Sequence, residues 1–176
     1  MEDMEEVYAR IEENMTADSE AVGIPTDEWT AAALAHASAL LTLILGMAGG
    51  VPALVGLAIP LAMYFGYRGK SRFVAFHALQ SFVYQVTGVL LYAVLAAVLA
   101  VWVAIAWTVS GLLSAVLIGL LLMPFALLLT LLMVLLLVGV PFAWLGYGLY
   151  AAYEVYQGRD FLYWLVGERL KQEVAL

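Results

Sequence analysis

The chain has 176 residues, of which 65% are hydrophobic and 12% are charged, and its formal net charge is −7. Soluble domains carry about 25% charged residues, and apolar runs far longer than about 20 residues cannot be hidden in a core of this size. The composition therefore excludes a soluble globular protein and predicts an all-α, polytopic integral membrane protein. The runs are continuous and rich in Leu and Ala, which is not the alternating pattern of a β-barrel.

The acidic side chains are concentrated at one end. Residues 1–28 hold ten of them against Arg10 alone, which argues against nucleic acid as a partner. We predict an acidic cytoplasmic tail over residues 1–25 and a membrane domain over residues 26–176. The chain has no cysteine, so disulfides and thiolate metal ligands are excluded. No basic segment precedes an early apolar run, and no cleavable signal peptide is expected.

The first two apolar segments predict a hydrophobic hairpin with spans over residues 29–47 and 53–67. The first segment has small residues every three or four positions, a pattern typical of close packing between membrane helices. These helix-packing residues are Ala31, Ala35, Ser38, Thr42 and Gly46. The second segment contains Pro60, and at ~22 Å its predicted length indicates a short, kinked span.

A short basic loop follows the hairpin. It contains Arg68, Lys70 and Arg72, and the positive-inside rule places it in the cytoplasm. The three side chains could also bind anionic lipid headgroups; control of topology alone explains them equally well.

The longest apolar block begins directly after this loop. Residues 73–153 contain no Asp, Glu, Lys or Arg. We predict a third span within residues 73–107, an outer turn at Ser110-Gly111 and a fourth span within residues 112–156. Residues 112–156 are either one kinked helix or a span plus a half-helix. About four spans leave both termini in the cytoplasm.

The start of the third span carries the most polar helix face in the apolar part of the chain. Its members recur at helical spacing and share one stripe: His77, Gln80, Ser81, Tyr84 and Gln85. With His36 they form the candidate site, because polar groups at membrane depth are functional candidates that can line a path or bind a partner. The alternative is that they hydrogen-bond across helices or lie at headgroup level.

The residue types within the spans limit the chemistry. His36 and His77 could meet and ligate a haem iron or a chlorophyll-type magnesium, but nothing beyond two histidines supports this. A zinc site is not expected without a nearby carboxylate or thiol. The spans offer no acid at membrane depth for a hydrolase or a proton-coupled transporter. We therefore predict no enzyme, no cofactor and no metal.

The carboxyl-terminal segment contains a helix stop signal. Gly158 is predicted to cap the last span, and residues 160–173 are predicted to form an amphipathic helix on the membrane surface. The tyrosines and tryptophans near residues 144–164 are typical of an aromatic belt at the cytoplasmic interface.

Several sequence elements occur together in one known family. They are Asp27-Glu28-Trp29, Leu34-Ala35-His36-Ala37-Ser38-Ala39-Leu40, Ile59-Pro60-Leu61, the stretch from Ser71 to Ser81 that contains Phe76-His77-Ala78-Leu79-Gln80, and the stretch from Gly158 to Gly167. Over residues 27–98 and 150–170 the chain resembles small bacterial membrane proteins of unknown function. These are grouped with the four-helix subunit of the chloroplast inner-envelope import translocon. The family usually has an aromatic-Pro pair where this chain has Tyr163-Trp164.

The resemblance implies four spans, cytoplasmic ends and a place in the bacterial inner membrane. We expect a non-enzymatic accessory or assembly subunit whose partners are other membrane proteins, in a hetero-complex or a homo-oligomer. The alternative is a component of a protein-translocation or permeation pathway, in which several copies surround a polar path. The polar stripe fades after Gly88, so one copy cannot line a pore by itself.

Overall fold

The computed structural model describes residues 23–164, 166, 167, 169 and 170. Its α-helices are α1 (Thr26–Ala37), α2 (Ala39–Met47), α3 (Gly50–Tyr67), α4 (Arg72–Leu113) and α5 (Ile118–Tyr156), with a 3-10 turn at Ser114–Val116. This part of the chain has no strand, so the prediction of an all-α fold is confirmed for it. Most of the predicted acidic tail, residues 1–22, lies outside the described residues.

Helices α1 and α2 run almost continuously as one apolar segment. Pro25 precedes the first turn, and Asp27 and Glu28 lie within it, where the helix dipole favours acidic side chains. A single turn residue, Ser38, separates the two helices, and its hydroxyl donates to the carbonyl of Ala35 at 2.7 Å. Bonding of a serine hydroxyl back into the preceding turn commonly bends a helix.

Helices α2 and α3 form the predicted hydrophobic hairpin. Gly49 ends the turn with φ of 137°, a value that side-chain-bearing residues rarely adopt. The two helices then approach so closely that a β-carbon on Gly56 would overlap the backbone of Thr42. Gly56, which is not among the predicted helix-packing residues, therefore allows α3 to pack directly against the backbone of Thr42.

Helix α4 begins at the basic loop. Ser71 is its N-cap and accepts from the backbone N–H of Val74 at 3.2 Å, which satisfies one of the free donors of the first turn. The Ser71 hydroxyl also donates to Glu28 at 2.6 Å. The bond ties the start of α4 to the start of α1.

Helices α4 and α5 pack against each other as a long antiparallel hairpin. Their 42 and 39 residues correspond to about 63 and 58 Å at 1.5 Å per residue. The turn lies at residues 114–117, where Leu117 has φ of 65°, so the predicted outer turn at Ser110-Gly111 is wrong. Ser110 instead stays in the helix, its hydroxyl bonded to the carbonyl of Ala106 at 2.7 Å.

Two close contacts mark the middle of the hairpin. A β-carbon on Gly88 would overlap the indole of Trp144. One turn further out, the hydroxyl of Tyr92 donates to the carbonyl of Leu137 at 3.1 Å. We call residues 93–136, beyond these contacts, the outer hairpin.

Within the part of the chain that the structure describes, three helical segments are long and apolar enough to cross a membrane. They are Thr26–Met47, Arg72–Val116 and Ile118–Tyr156, and a shorter apolar helix covers Pro52–Tyr67. The predicted spans 29–47, 53–67 and 73–107 each lie within or overlap one of these segments, whereas the predicted span 112–156 begins six residues too early, in the end of the Arg72–Val116 segment and the turn. Residues 112–156 are not a half-helix and a span: beyond the turn they form one continuous helix that contains both Pro124 and Pro141.

The prediction that Gly158 ends the last span is confirmed. Gly158 has φ of 76°, its N–H donates to the carbonyl of Val155 at 3.0 Å, and the N–H of Arg159 donates to Glu154 at 3.1 Å. This is the hydrogen-bond pattern of a Schellman motif.

The predicted start of a surface helix at residue 160 is wrong. Residues 160–163 are not helical, and the first turn appears at Trp164. The reason is that Gln80 binds the backbone of Phe161 and Tyr163, which draws this stretch into the bundle. Residues 165, 168 and 171–173 of the predicted helix lie outside the described residues.

Candidate functional site

The predicted polar stripe lies inside the bundle, between α1, α4, α5 and the segment after Gly158. His36, His77, Gln80 and Ser81 are fully buried, and Tyr84 and Gln85 are 2% and 3% exposed. The structure adds residues from the first helical segment and from the carboxyl-terminal segment. We call the whole set the polar network: His36, Ser38, Thr42, His77, Gln80, Ser81, Tyr84, Gln85, Asp160 and Tyr163.

One half of the polar network joins α4 to α1 and α2. Gln85 donates from Nε2 to the hydroxyls of Ser38 at 2.9 Å and Ser81 at 3.0 Å. Its Oε1 accepts from the hydroxyl of Thr42 at 2.6 Å. The hydroxyl of Ser81 donates to the carbonyl of Ala35 at 2.7 Å. Both ends of the Gln85 amide are therefore satisfied, as a buried polar group requires.

The two imidazoles lie at the centre of the other half. His36 Nε2 is 3.0 Å from His77 Nδ1, and His36 Nδ1 is 3.1 Å from the hydroxyl of Tyr163. His77 Nε2 is 3.2 Å from Asp160 Oδ1, an ion-pair distance whose angles are not those of a hydrogen bond. Asp160 is 54% exposed, so this line of polar groups runs from the surface to a buried phenol.

Gln80 holds the carboxyl-terminal segment in place. Its Nε2 donates to the carbonyl of Phe161 at 2.9 Å, and its Oε1 accepts from the backbone N–H of Tyr163 at 3.1 Å. A side-chain amide thereby pairs with an irregular backbone segment as a neighbouring strand would. Gly167 then passes so close to Gln80 Oε1 that a β-carbon there would overlap it.

A stack of three aromatic rings packs beside the hydrogen bonds. Tyr84 lies between Tyr163, at 3.9 Å and 2° between the rings, and Trp144, at 4.5 Å and 8°. The hydroxyl of Tyr84 donates to the carbonyl of Trp144 at 2.6 Å. Burial raises the pKa of Tyr163, with smaller contributions from Tyr84 and Tyr147, so its hydroxyl keeps its proton and remains a hydrogen-bond donor.

The remaining predicted residues divide by position. Arg68, Lys70 and Arg72 are exposed beside the polar network and do not enter it. Ala35, Ser38 and Thr42 are buried in helix contacts, whereas Ala31 and Gly46 are only partly buried.

The arrangement does not form an evident metal centre. His36 and His77 do meet, but the two facing nitrogens bond each other. Among the described residues there is no group of three or more His, Cys, Asp or Glu side chains that could hold a metal ion.

Sequence reasoning missed the partners that close the polar network. Asp160 and Tyr163 were assigned to a surface helix, and Trp144 to an aromatic belt. His36 and Tyr163 are 127 residues apart, and no local periodicity links residues at that separation. The signal that was available is the helix stop at Gly158, after which the chain must turn back over the end of the bundle.

All members of the polar network fall within one family match. Residues 27–170 match the MamF/MmsF family, described as the magnetosome magnetite crystal formation protein family. The chain belongs to this family. No curated protein and no solved structure matches the chain.

Membership in the MamF/MmsF family agrees with the apolar helices and identifies the chain as a membrane protein. It supports the part of the sequence resemblance that places the chain in a family of small membrane proteins, whereas a relationship to the chloroplast import translocon is not shown. The family match covers the basic loop, both histidines and the carboxyl-terminal segment alike.

Proposed function

We propose that this protein is a non-enzymatic accessory or assembly subunit of a membrane complex, which it contacts through the outer hairpin. In this proposal α3 is a fourth span and both termini lie on the cytoplasmic side of a bacterial inner membrane. The contribution to magnetosome magnetite crystal formation that the family description names would then be structural, through organisation of other membrane proteins.

The single observation that carries the proposal is the length of the outer hairpin. Helix α1 with α2 has 22 residues, or about 33 Å, which suits a hydrocarbon layer of about 30 Å. Helices α4 and α5 are nearly twice as long and continue about 30 Å beyond the Tyr92–Leu137 contact. A helix tilt of 40°, the upper end of the usual range, accommodates only about 39 Å. The part of this uncharged surface that extends beyond the hydrocarbon layer must therefore be buried against other proteins.

The closed polar network supports an assembly role over permeation. In the described residues the amide, imidazole and hydroxyl groups of the stripe bind one another or the backbone. They do not point into an open path. Permeation remains the second candidate only in the form of several copies around a shared channel.

The exposed basic loop suggests a lipid contact that accompanies this role. Arg68, Lys70 and Arg72 are exposed next to the long uncharged block. Each would contribute about 1 kcal/mol near an anionic leaflet, which favours this orientation and anionic lipid neighbours.

Site-specific photo-crosslinking tests the assembly role. A photoreactive residue would replace Leu121, in the outer hairpin, or Met47, at the end of α2. Both native side chains are 74% exposed, so the two positions are matched. We expect protein adducts of fixed mass at Leu121 and mainly lipid adducts at Met47, because only the outer hairpin is proposed to contact partners. Lipid adducts at both positions would contradict the proposal.

A further inference from the structure

The turn between α4 and α5 holds one residue in an unfavourable backbone conformation. Leu117 has φ of 65° and ψ of −17°, and in the described part of the chain it is the only residue other than glycine with a positive φ. A β-carbon crowds the backbone in this left-handed region, so glycine or asparagine is the usual occupant. A leucine held there marks a candidate functional position, because such strain is concentrated at functional sites.

The turn is rigid, and its outward surface is aliphatic. We call residues 112–118 the tip. The hydroxyl of Ser114 donates to the carbonyl of Ser110 at 2.8 Å, and a β-carbon on Gly119 would overlap the backbone of both serines. The large side chains of the tip that are more than half exposed are Leu112, Val116, Leu117 and Ile118. The tip is therefore a fixed, convex, apolar surface.

The tip lies well beyond the layer that α1 and α2 span. The bond that ties the start of α4 to the start of α1 and the Thr42–Gln85 bond both join residues 43 positions apart, so the two segments run in parallel. Met47, the last residue of α2, is therefore level with Leu90. Helix α4 continues from there to Leu113, about 35 Å further. The bilayer around α1 and α2 does not reach the tip.

We propose that the tip is a docking site that inserts into an apolar pocket of a different protein, on the side of the membrane opposite the basic loop. This inference rests on the proposed assembly role and assigns the contact to a defined part of the outer hairpin. Residues 73–153 contain no Asp, Glu, Lys or Arg, so the tip is recognised by shape and apolar burial and not by charge.

A lipid surface matches the tip less well than a protein pocket does. Segments that lie in a membrane interface carry basic side chains that attract lipid phosphates and aromatic rings that anchor at headgroup level. Residues 108–124 contain neither type of side chain. The exposed residues of the tip provide apolar area alone.

A second copy of this chain does not supply the pocket either. The outer hairpin carries an apolar groove lined by Ala97, Val98, Val101, Trp102 and Ile105. Copies inserted in one membrane share one orientation, so their tips lie at the same height. Val101, in the middle of the groove, is about 18 Å below the last residue of α4. The tip of one copy therefore does not reach the groove of its neighbour.

Photo-crosslinking of the full chain in its native membranes locates the contact. A photoreactive residue would replace Leu117, in the tip, or Leu128, on the side of the outer hairpin, which are 71% and 62% exposed. We expect a protein adduct at Leu117 with a fixed mass that differs from the mass of two copies. Lipid adducts or a two-copy adduct at Leu117 would overturn the proposal. Protein adducts at Leu128 alone would overturn it and leave the assembly role intact, whereas lipid adducts at both positions would contradict both.

Substitution of Leu117 separates docking from folding. Leu117→Gly removes the side chain at a backbone position that glycine favours, so the midpoint of unfolding in SDS micelles should not fall. With the photoreactive residue at Leu121, the yield of the same adduct should fall roughly tenfold, because one buried leucine is lost from the contact. Leu117→Met keeps an apolar side chain and should retain most of the yield. An unchanged yield in Leu117→Gly, an equal loss in Leu117→Met, or a lower unfolding midpoint in Leu117→Gly would overturn the proposal.

Discussion

Each amide in the polar network is satisfied at both ends, and this reciprocity explains why polar side chains are tolerated in an apolar bundle. Gln85 bonds three hydroxyls, from the turn between α1 and α2, from α2 and from α4, and Gln80 bonds two backbone groups of the carboxyl-terminal segment. A buried donor or acceptor left without a partner costs about 1–3 kcal/mol. The network therefore selects one arrangement of the helices over others with similar apolar packing.

Replacement of Gln80 tests this at one position. Gln80→Ala leaves the carbonyl of Phe161 and the N–H of Tyr163 without their partner, and we expect a loss of about 2–4 kcal/mol in the free energy of unfolding. Unfolding of the purified protein in mixed detergent and SDS micelles measures it. Gln157→Ala, at an exposed position, is the control and should change stability by less than about 0.5 kcal/mol. Equal effects of the two substitutions would contradict the role assigned to Gln80.

At the residue scale the sequence predicts the buried face but not its partners. Helical spacing is local, so the stripe from His77 to Gln85 could be recognised and its members are buried together. The contacts of His36 with Tyr163 and of Gln80 with Phe161 depend on how the chain returns to the bundle after α5. That return is a tertiary property without a periodic signature in the sequence.

At the scale of helices, one tyrosine compensates for a proline. Pro141 has no N–H, so the carbonyl of Leu137, four residues earlier in α5, lacks its helical partner. The hydroxyl of Tyr92 on α4 donates to that carbonyl at 3.1 Å. In lipid, which offers no water to the free carbonyl, such a bond lets a helix pass a proline without breaking.

A double-mutant cycle tests the compensation. Tyr92→Phe should destabilise the protein by about 1 kcal/mol, the usual size of a hydrogen bond between membrane helices. In a Pro141→Ala background the restored N–H bonds Leu137, and the same substitution should cost less than half as much. The unfolding free energies of the four proteins measure the coupling. Equal costs in the two backgrounds would show that Tyr92 does not act through this carbonyl.

Two element boundaries were predicted wrongly for related reasons. Ser110-Gly111 has the composition of a turn, yet the Ser110 hydroxyl bonds a carbonyl of its own helix, and the helix continues. The turn lies instead at Leu117, and leucine is not a residue type that indicates a turn. Residue 160 has the composition of a helix start, but Gln80 bonds the carbonyl of Phe161, which the first turn of such a helix would use, and the backbone N–H of Tyr163. In both places hydrogen bonds formed in the folded chain override local sequence preference.

At the scale of the whole molecule, the buried polar network and the uncharged outer hairpin occupy different parts of the α4–α5 pair. The compact end contains the polar network and the exposed basic loop, whereas the outer hairpin is uncharged and carries large exposed side chains such as Trp102, Leu121 and Phe125. The uncharged block could be recognised from sequence, and its division into two helices was expected. The lengths of α4 and α5 relative to the other helices are set by the position of the turn between them, which only the structure shows.

The proposed assembly role requires that the outer hairpin joins this protein to others in the membrane. Purification of the tagged protein from its native membranes in mild detergent, with mass spectrometry of the companions and of their mass ratio, tests it most directly. We expect a companion membrane protein at a fixed ratio, and its loss when Leu121→Arg places a charge on the outer hairpin. Recovery of this protein alone, with ion or solute flux after reconstitution in liposomes, would contradict the assembly role and favour permeation.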